Sequence, residues 1–351
     1  MVPNRSPAST SPDPSSPILA HAAPCDQAAT PVQGVASFRL AHLHPSPPAL
    51  SDPAAAAPAL RRSIVLVLHH LLVALVALVA IGGATRVMEA GLACPDWPLC
   101  YGSLLPGRQM NLQVFLEWFH RLDAFVVGVA LLVLAGASLR YRRRLPTGFP
   151  LAALLALGLV AVQGLLGALT VSQLLAAGTV TAHLATALLL VALVSAMGRT
   201  LASGQAGIRQ PPLPLWWRIT VLVALAGVFG QCLAGAAMAS QWAAHRCLGA
   251  GEACRWLALH RSAAIPAALL TTLPALAAPA LPPGSRSPRR LALAAGGLVL
   301  VQVALGVSTL RAQLSEPLLT VAHQLVAALL VAVLAAAAAS DLPLSQEVTR
   351  G

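Results

Sequence analysis

Residues 179–190 read TVTAHLATALLL, and residues 319–330 read LTVAHQLVAALL. Each is an apolar segment with one histidine near its start, and His183 and His323 lie 140 positions apart. Both segments continue into apolar runs that approach the length of about 20 residues needed for a membrane-spanning helix. Because internal duplication is common among membrane folds, this recurrence at a fixed interval predicts a repeated architecture.

Other features repeat with the same interval. His120–Arg121 recurs as His260–Arg261, again 140 positions further along the chain. The segment QGLLGALT, which precedes the second histidine of the first half, matches QVALGVST in the second half. Each half also has two cysteines in its first outward loop. We therefore expect two related halves, in the same orientation, that each place two histidines in helices.

The composition indicates that most of this chain lies in a lipid bilayer. It is 57% hydrophobic and only 9% charged, and it lacks the alternating ten-residue strands of a membrane barrel. The prediction is an all-α, polytopic membrane protein with two pseudosymmetric four-helix bundles. The eight predicted spans are about 63–84, 115–139, 149–171, 178–199, 216–238, 256–280, 290–310 and 318–339.

Arginines give the orientation of the spans. The formal net charge of +11 is concentrated at alternate helix ends, which is a topology signal and not a nucleic-acid-binding patch. By the positive-inside rule both termini are cytoplasmic. We predict a multi-pass protein of a bacterial plasma membrane. The clusters are Arg61 and Arg62; Arg140, Arg142, Arg143 and Arg144; Arg199, Arg209 and Arg218; and Arg286, Arg289 and Arg290.

The predicted domain organisation follows from the spans and the composition between them. A Pro/Ala/Ser-rich tail without apolar periodicity is expected to be disordered. The predicted parts are the N-terminal tail 1–60, the first four-helix half 61–200, a cytoplasmic linker 201–213, the second half 214–340 and a C-terminal tail 341–351.

Four histidines are candidate metal ligands. His120, His183, His260 and His323 each lie about four to six residues inside a helix that enters from the outer face, which is roughly 6–9 Å deep at 1.5 Å per residue. Two imidazoles at one level suit axial ligation of a haem clamped between helices. The alternative is that each makes an interhelical hydrogen bond. That alternative is preferred for His69 and His70, and zinc is disfavoured because further ligands are lacking.

The segment FLEWFHRLDAF at 115–125 places several ionisable groups at the start of a membrane helix, where charge is costly. Glu117 lies three residues before His120, and so on the same face of the helix. Its counterpart in the second half is Leu257. One haem should therefore be acted upon while the other assists. The alternative for Glu117 is a carboxylate paired with Arg121 or Arg86, or one exposed at the interface.

Cysteine pairs flank the outer turns. Cys94 and Cys100 enclose a Pro-Asp-Trp-Pro turn, and five intervening residues allow a disulfide outside the cytoplasm. A redox role and a structural staple both remain open for this pair. For Cys247 and Cys254 a structural disulfide is preferred.

Together these motifs resemble the haem A synthase family. The resemblance rests on GGATRVMEAGLACPDWPLCYG, on the Glu-x-x-His-Arg of FLEWFHR and on the repeated QGLLGALTV…H, and it covers about residues 63–340. It implies oxidation of the C8 methyl group of haem O to the formyl group of haem A for terminal oxidases. By resemblance, His120 and His183 hold the substrate haem O, and His260 and His323 ligate haem b as cofactor.

The resemblance also implies roles for other residues and for partners. Glu117 matches the catalytic carboxylate of the family, and Cys94 and Cys100 match a cysteine pair found in part of it. Arg86, Arg121 and Arg261 are candidate contacts for haem propionates, with interfacial snorkelling as the alternative. Expected partners are the lipid bilayer, haem O synthase, oxidase assembly factors and an electron acceptor. The alternatives in function are a di-haem b electron-transfer protein that oxidises quinol and a haem carrier or export subunit.

Overall fold

The structure is a computed structural model that describes residues 53–203, 212–238 and 255–341. These residues form helices joined by turns, and they contain no β-strand beyond a single bridge between Cys100 and Ser103. The helices are α1 Pro53–Val87, α2 Leu112–Arg140, α3 Phe149–Ser172, α4 Ala177–Ser203, α5 Leu215–Met238, α6 Arg255–Ala277, α7 Arg286–Arg311 and α8 Pro317–Ala338.

All eight predicted spans are confirmed, because each of these helices is long and apolar enough to cross a membrane. The chain is a multi-pass membrane protein. Short 3₁₀ turns follow three of the helices, at Arg142–Arg144, Ala278–Ala280 and Ala339–Asp341.

Helix α1 and the predicted N-terminal tail overlap at residues 53–60. Residues 53–60 were assigned to the tail, but α1 begins at Pro53. The segment PAAAAPAL is rich in alanine, which favours helix without being strongly apolar, so a search for membrane spans misses it. Residues 1–52, most of the linker at 201–213, and residues 342–351 lie outside the described part of the chain.

Helix contacts repeat between the halves. In each half the first helix packs against the second and fourth, and the third helix packs between the second and fourth, so that α1–α4 and α5–α8 each form a four-helix bundle. The bundles meet where α4 packs against α8, α1 against α8 and α4 against α5. Exchanging the two halves leaves this contact pattern unchanged, as expected for a pseudo-twofold relation.

The interface between the halves forms the most buried part of the protein. Leu188 and Val191 of α4 and Leu330 and Leu334 of α8 are at most 1% exposed. A hydrogen bond joins the two helices, since the hydroxyl group of Ser195 donates to the carbonyl oxygen of Ala332 at 2.6 Å. In lipid such packing and interhelical hydrogen bonds stabilise helix association. By contrast, leucines such as Leu151 and Leu300 are more than 60% exposed on the outer helices, where lipid would cover them.

Helices α1 and α8 approach closely at a glycine. A Cβ atom on Gly83 would lie 2.3 Å from Oε1 of Gln324, so a larger residue there would displace the end of the glutamine side chain. Gln324 Nε2 in turn donates to the carbonyl oxygen of Val79 at 3.4 Å. Gln324 directly follows the candidate ligand His323, so this contact holds the start of α8 against the first half.

The duplication extends to backbone conformation at the turns before α4 and α8. Between α3 and α4, Leu174 and Leu175 have φ values of 48° and 61°, and between α7 and α8, Gln313 and Leu314 have φ values of 51° and 61°. Two consecutive left-handed residues without glycine are uncommon. Their recurrence shows that each half uses the same turn to enter its second histidine-bearing helix.

Candidate functional site

The structure brings the four candidate histidines together as two pairs. In the first half, His120 of α2 faces His183 of α4 with ring centroids 6.5 Å apart and ring planes at 69°. In the second half, His260 of α6 faces His323 of α8 at 6.4 Å and 78°. The two pairs occupy equivalent positions in the two bundles.

This spacing fits a metal bound between the rings. An iron bound by one nitrogen from each side, at the usual metal–nitrogen distance of about 2.0–2.1 Å, places the ring centroids roughly 6.3 Å apart. Both observed distances are close to this value. Across the part of the chain that the structure describes, no group of three or more His, Cys, Asp or Glu side chains could hold a metal ion. A two-histidine site is therefore better suited to haem iron than to zinc.

Each histidine ring packs against a glycine of the preceding helix. A Cβ atom would lie 3.0 Å from the ring at three of these glycines and 3.6 Å at the fourth, so glycine leaves space in which the ring can take its position. The recurrence of this contact in all four helix pairs shows that the rings are positioned by the same device. The pairs are Gly82 with His120, Gly167 with His183, Gly235 with His260 and Gly306 with His323.

Three glutamines also contact the histidines, and sequence reasoning assigned them no role. Gln163 Nε2 donates to the carbonyl oxygen of His183 at 2.8 Å, and Gln231 Nε2 to that of His260 at 2.6 Å. Gln302 Nε2 lies 3.2 Å from the ring Nε2 of His323. Each glutamine precedes a ring-contacting glycine by four residues. The repeated QGLLG and QVALG segments carry this signal for two of them, because each places a glutamine four residues before a glycine.

Glu117 lies beneath the loop that joins α1 and α2. Its side chain is 5% exposed, on α2, whose N-terminus is capped by Asn111. Oε2 accepts a hydrogen bond from the backbone N–H of Cys94 at 2.8 Å, and Oε1 pairs with the Arg121 guanidinium at 2.5 Å. The contact with Arg121 was the alternative that the sequence left open for Glu117. Its second-half counterpart, Leu257, is half-buried on α6.

Arg121 anchors the same loop. One terminal nitrogen donates to the carbonyl oxygens of Asp96 and Leu99, each at 2.5 Å, and the other contacts the carbonyl oxygen of Cys94 at 3.3 Å as well as Glu117. Both terminal nitrogens are therefore engaged with protein atoms. The predicted contact of Arg121 with a haem propionate stays a prediction.

The loop held by Arg121 is closed by a disulfide between Cys94 and Cys100, with Cα atoms 4.8 Å apart. Both cysteines are at most 1% exposed and pack on Val114 of α2. Within the loop, the carboxylate of Asp96 accepts hydrogen bonds from the backbone N–H groups of Tyr101 and Gly102. The hydrogen bond from Gly102, with that from Tyr101, holds the pKa of Asp96 below its usual range. Cys247 and Cys254 lie outside the described residues.

The remaining candidates are dispersed. Arg86 at the end of α1 donates to the carbonyl oxygen of Ala236 on α5 at 3.4 Å, and so joins the two halves near the predicted outer face. Arg261 is exposed. His69 and His70 are exposed on α1, away from both histidine pairs, and Nδ1 of His70 bonds within its own helix to the carbonyl oxygen of Leu66.

A duplicated eight-helix membrane fold with one facing histidine pair in each half defines a class of membrane protein suited to clamp haem between axial histidines. Within the described ranges, a buried carboxylate one turn from a histidine occurs in the first half only. Comparison with known sequences is consistent with this class. The chain belongs to the cytochrome oxidase assembly protein family, whose model matches residues 64–335.

Individual relatives match shorter regions. A protein from Caulobacter sp. strain K31 named haem A synthase is 34% identical over 96 residues, which are 25% of this chain and 28% of that protein. A haem A synthase from Shewanella oneidensis is 28% identical over 191 residues, 48% of this chain and 54% of that protein. A protohaem IX farnesyltransferase from Haloarcula marismortui is 38% identical over 63 residues, 18% of this chain and 13% of that protein. The alignments thus span 54% or less of these relatives.

Proposed function

We propose that this protein is a haem A synthase, an oxidoreductase that converts the C8 methyl group of haem O to the formyl group of haem A. The observation that carries the proposal is the combination of two facing histidine pairs with a buried carboxylate, Glu117, which among the described residues occurs in one half only. A protein that only relayed electrons between two haems would not need this asymmetry. Family membership and the names of the matched relatives support the same activity.

In this proposal the two halves have different tasks. His120 and His183 hold the substrate haem O in the half that carries Glu117, and His260 and His323 hold haem b in the other half. The centroid distances of 6.5 and 6.4 Å support ligation by both pairs. When bound, haem b supplies one-electron transfer, which suits removal of electrons from the substrate half.

Glu117 would contribute electrostatic stabilisation. Conversion of a methyl to a formyl group with an oxygen atom from water releases four electrons and four protons. A carboxylate fixed near the methyl carbon in a low dielectric stabilises positive charge that develops there and can accept a proton. The bonds from Cys94 N–H and Arg121 fix the direction of this carboxylate, as such preorganisation requires.

The loop closed by the Cys94–Cys100 disulfide would hold the Glu117 carboxylate in position. Since Cys94 supplies a backbone donor to Glu117, the disulfide to Cys100 holds that donor in place. This contact supports a positioning role for the cysteine pair, and a redox role in accepting electrons from the substrate half is the competing proposal. Arg86 and Arg261 remain candidate contacts for haem propionates near the outer surface, together with Arg121.

The proposed setting is a bacterial plasma membrane, with both termini in the cytoplasm. The arginine clusters at alternate helix ends support this orientation. Partners of the proposed reaction are a haem O synthase that delivers the substrate, oxidase assembly factors that receive the product, and an electron acceptor.

Haem analysis tests the proposal directly. Cells that lack a haem A synthase should make haem A only when this gene is expressed, as measured by pyridine-haemochrome spectra and mass analysis of extracted haem. If cells that express the gene make no haem A, but the purified protein contains haem b, the result would instead indicate an electron-transfer protein. Purified protein without any haem would exclude both functions.

A further inference from the structure

A two-point contact fixes His260 in the second half. The Gln231 side chain on α5 donates from Nε2 to the backbone carbonyl of His260 at 2.6 Å. The backbone carbonyl of Gln231 lies 3.2 Å from Nδ1 of the His260 ring. Gly235, one turn further along α5, approaches the same ring closely enough that a Cβ atom would lie 3.0 Å from Cε1. One residue of α5 therefore holds both the backbone and the ring of His260.

The first half lacks this contact. The position four residues before Gly82, equivalent to Gln231 before Gly235, is Leu78, whose side chain has no hydrogen-bond donor. Correspondingly, Nδ1 of His120 is buried without a hydrogen-bond partner. The two rings pack on their glycines in a similar way, so the difference between the halves lies in the hydrogen bond and not in the overall position of the ring.

The hydrogen bond has a chemical consequence for the ring. A carbonyl oxygen can only accept, so Nδ1 of His260 carries the proton and Nε2 keeps its lone pair for a metal. A ligand histidine that donates from its other ring nitrogen to a carbonyl has its tautomer and orientation fixed, and becomes a more basic ligand. A more basic axial ligand favours ferric over ferrous iron and so lowers the reduction potential of the haem.

We propose that Gln231 is a positioning residue that makes His260 a strongly donating axial ligand, so that the haem of the second half has a lower reduction potential than it would have without this contact. The inference rests on the proposed haem ligation and deepens it, because it assigns a residue outside the ligand set to the tuning of one site. The glutamine side chain acts by holding the backbone of α6 so that the His260 ring reaches the carbonyl of α5.

The test is a redox titration of the haem-loaded protein and of Gln231→Met, which keeps side-chain length and loses the donor. A parallel titration in a His120→Ala background isolates the second-half haem. We expect Gln231→Met to raise the midpoint potential of that haem and to weaken its binding about 10–100-fold, as loss of such outer partners commonly does. Gln163→Met is the matched control, since Gln163 contacts the His183 backbone and Thr186 in the other half. It should leave the second-half potential unchanged.

A second variant covers the case in which Gln231→Met loses its haem altogether. Leu78→Gln places the same donor in the first half and should lower the potential of the first-half haem. Unchanged potentials in both Gln231→Met and Leu78→Gln, with haem retained, would overturn the inference while leaving the proposed function intact. Absence of haem from the unmodified protein would overturn the proposed function and the inference together.

Discussion

The carboxylate of Glu117 accepts a hydrogen bond from the backbone N–H of Cys94 at 2.8 Å, across 23 positions of sequence. Glu117 lies one helical turn before His120, so this bond connects the outer disulfide loop to the helix that carries a candidate haem ligand. Arg121 strengthens the connection because it holds both Glu117 and three carbonyls of the loop. The disulfide loop, Glu117 and His120 are thus connected, and a substitution in one of them should change the positions of the other two.

Mutation of the second-half histidine pair should affect the haem of that half separately from the haem of the first half. Replacing His260 or His323 with alanine should remove low-spin haem b from the purified protein, because each ring supplies one of two axial ligands. Optical spectra of the reduced protein measure the loss. Retention of a full bis-histidine spectrum by both variants would show that the second pair does not ligate haem.

Helices and histidine pairing were accessible from sequence because both depend on periodic, local signals. Apolar runs of membrane length located all eight helices, and the 140-residue interval indicated which histidines are equivalent. The start of α1 was missed because its first residues are alanine-rich and only weakly apolar. Sequence spacing gave no access to the distance between His120 and His183, which depends on how α2 and α4 pack.

The contacts around the site were less accessible. The bond between Glu117 and Cys94 depends on how a 24-residue connection folds over α2, and no periodicity encodes it. The pairing of Glu117 with Arg121 is a local contact of residues four apart in a helix, so it could be stated in advance as an alternative. The contacts of Gln231 with His260 depend on how α5 packs against α6, which no local pattern encodes.

Orientation can be checked with fusions. A reporter active only in the cytoplasm should work when fused after Arg144 or Arg290 and fail when fused near Gly102 or Gly251, because arginine-rich ends stay inside. Reporter activity in cells measures each fusion. The opposite pattern would place the four histidines near the cytoplasmic face and would contradict the predicted topology.

The close approach of α1 and α8 predicts sensitivity at one glycine. Gly83→Ala would displace the end of the Gln324 side chain and break its hydrogen bond to Val79, which contributes on the order of 0.5–1.5 kcal/mol. The matched control is Gly136→Ala on α2, where a Cβ atom meets nothing within 4 Å. Thermal unfolding in detergent should show a lower midpoint for Gly83→Ala only. Equal midpoints would mean that the α1–α8 contact does not contribute to stability.

The two cysteine pairs should differ if the first has a role in the reaction. Replacing Cys94 and Cys100 with alanine should lower haem A formation far more than replacing Cys247 and Cys254, since it removes the disulfide that holds the backbone N–H of residue 94 against Glu117. Equal and modest losses in both double variants would support simple structural disulfides on each side.

Glu117→Gln separates charge from shape at the candidate active site. The amide keeps the size of the side chain and can still accept the hydrogen bond from Cys94, but it loses the negative charge. If that charge stabilises the developing cation on the substrate, the variant should bind haem and lose on the order of a hundredfold or more in rate. Mass analysis of extracted haem should then show accumulation of haem O or of its hydroxylated form.

The ion pair with Arg121 provides the control for that experiment. Arg121→Gln breaks the same pair and releases the loop, but it leaves the carboxylate in place. We expect Arg121→Gln to reduce the amount of haem bound, because it loosens the outer loop, whereas the fraction that stays loaded should still yield haem A. Normal haem A from Glu117→Gln would reduce Glu117 to a partner of Arg121. Complete loss of haem from Glu117→Gln would make its role structural, since the loop that it holds would then be needed for binding and not for the oxidation.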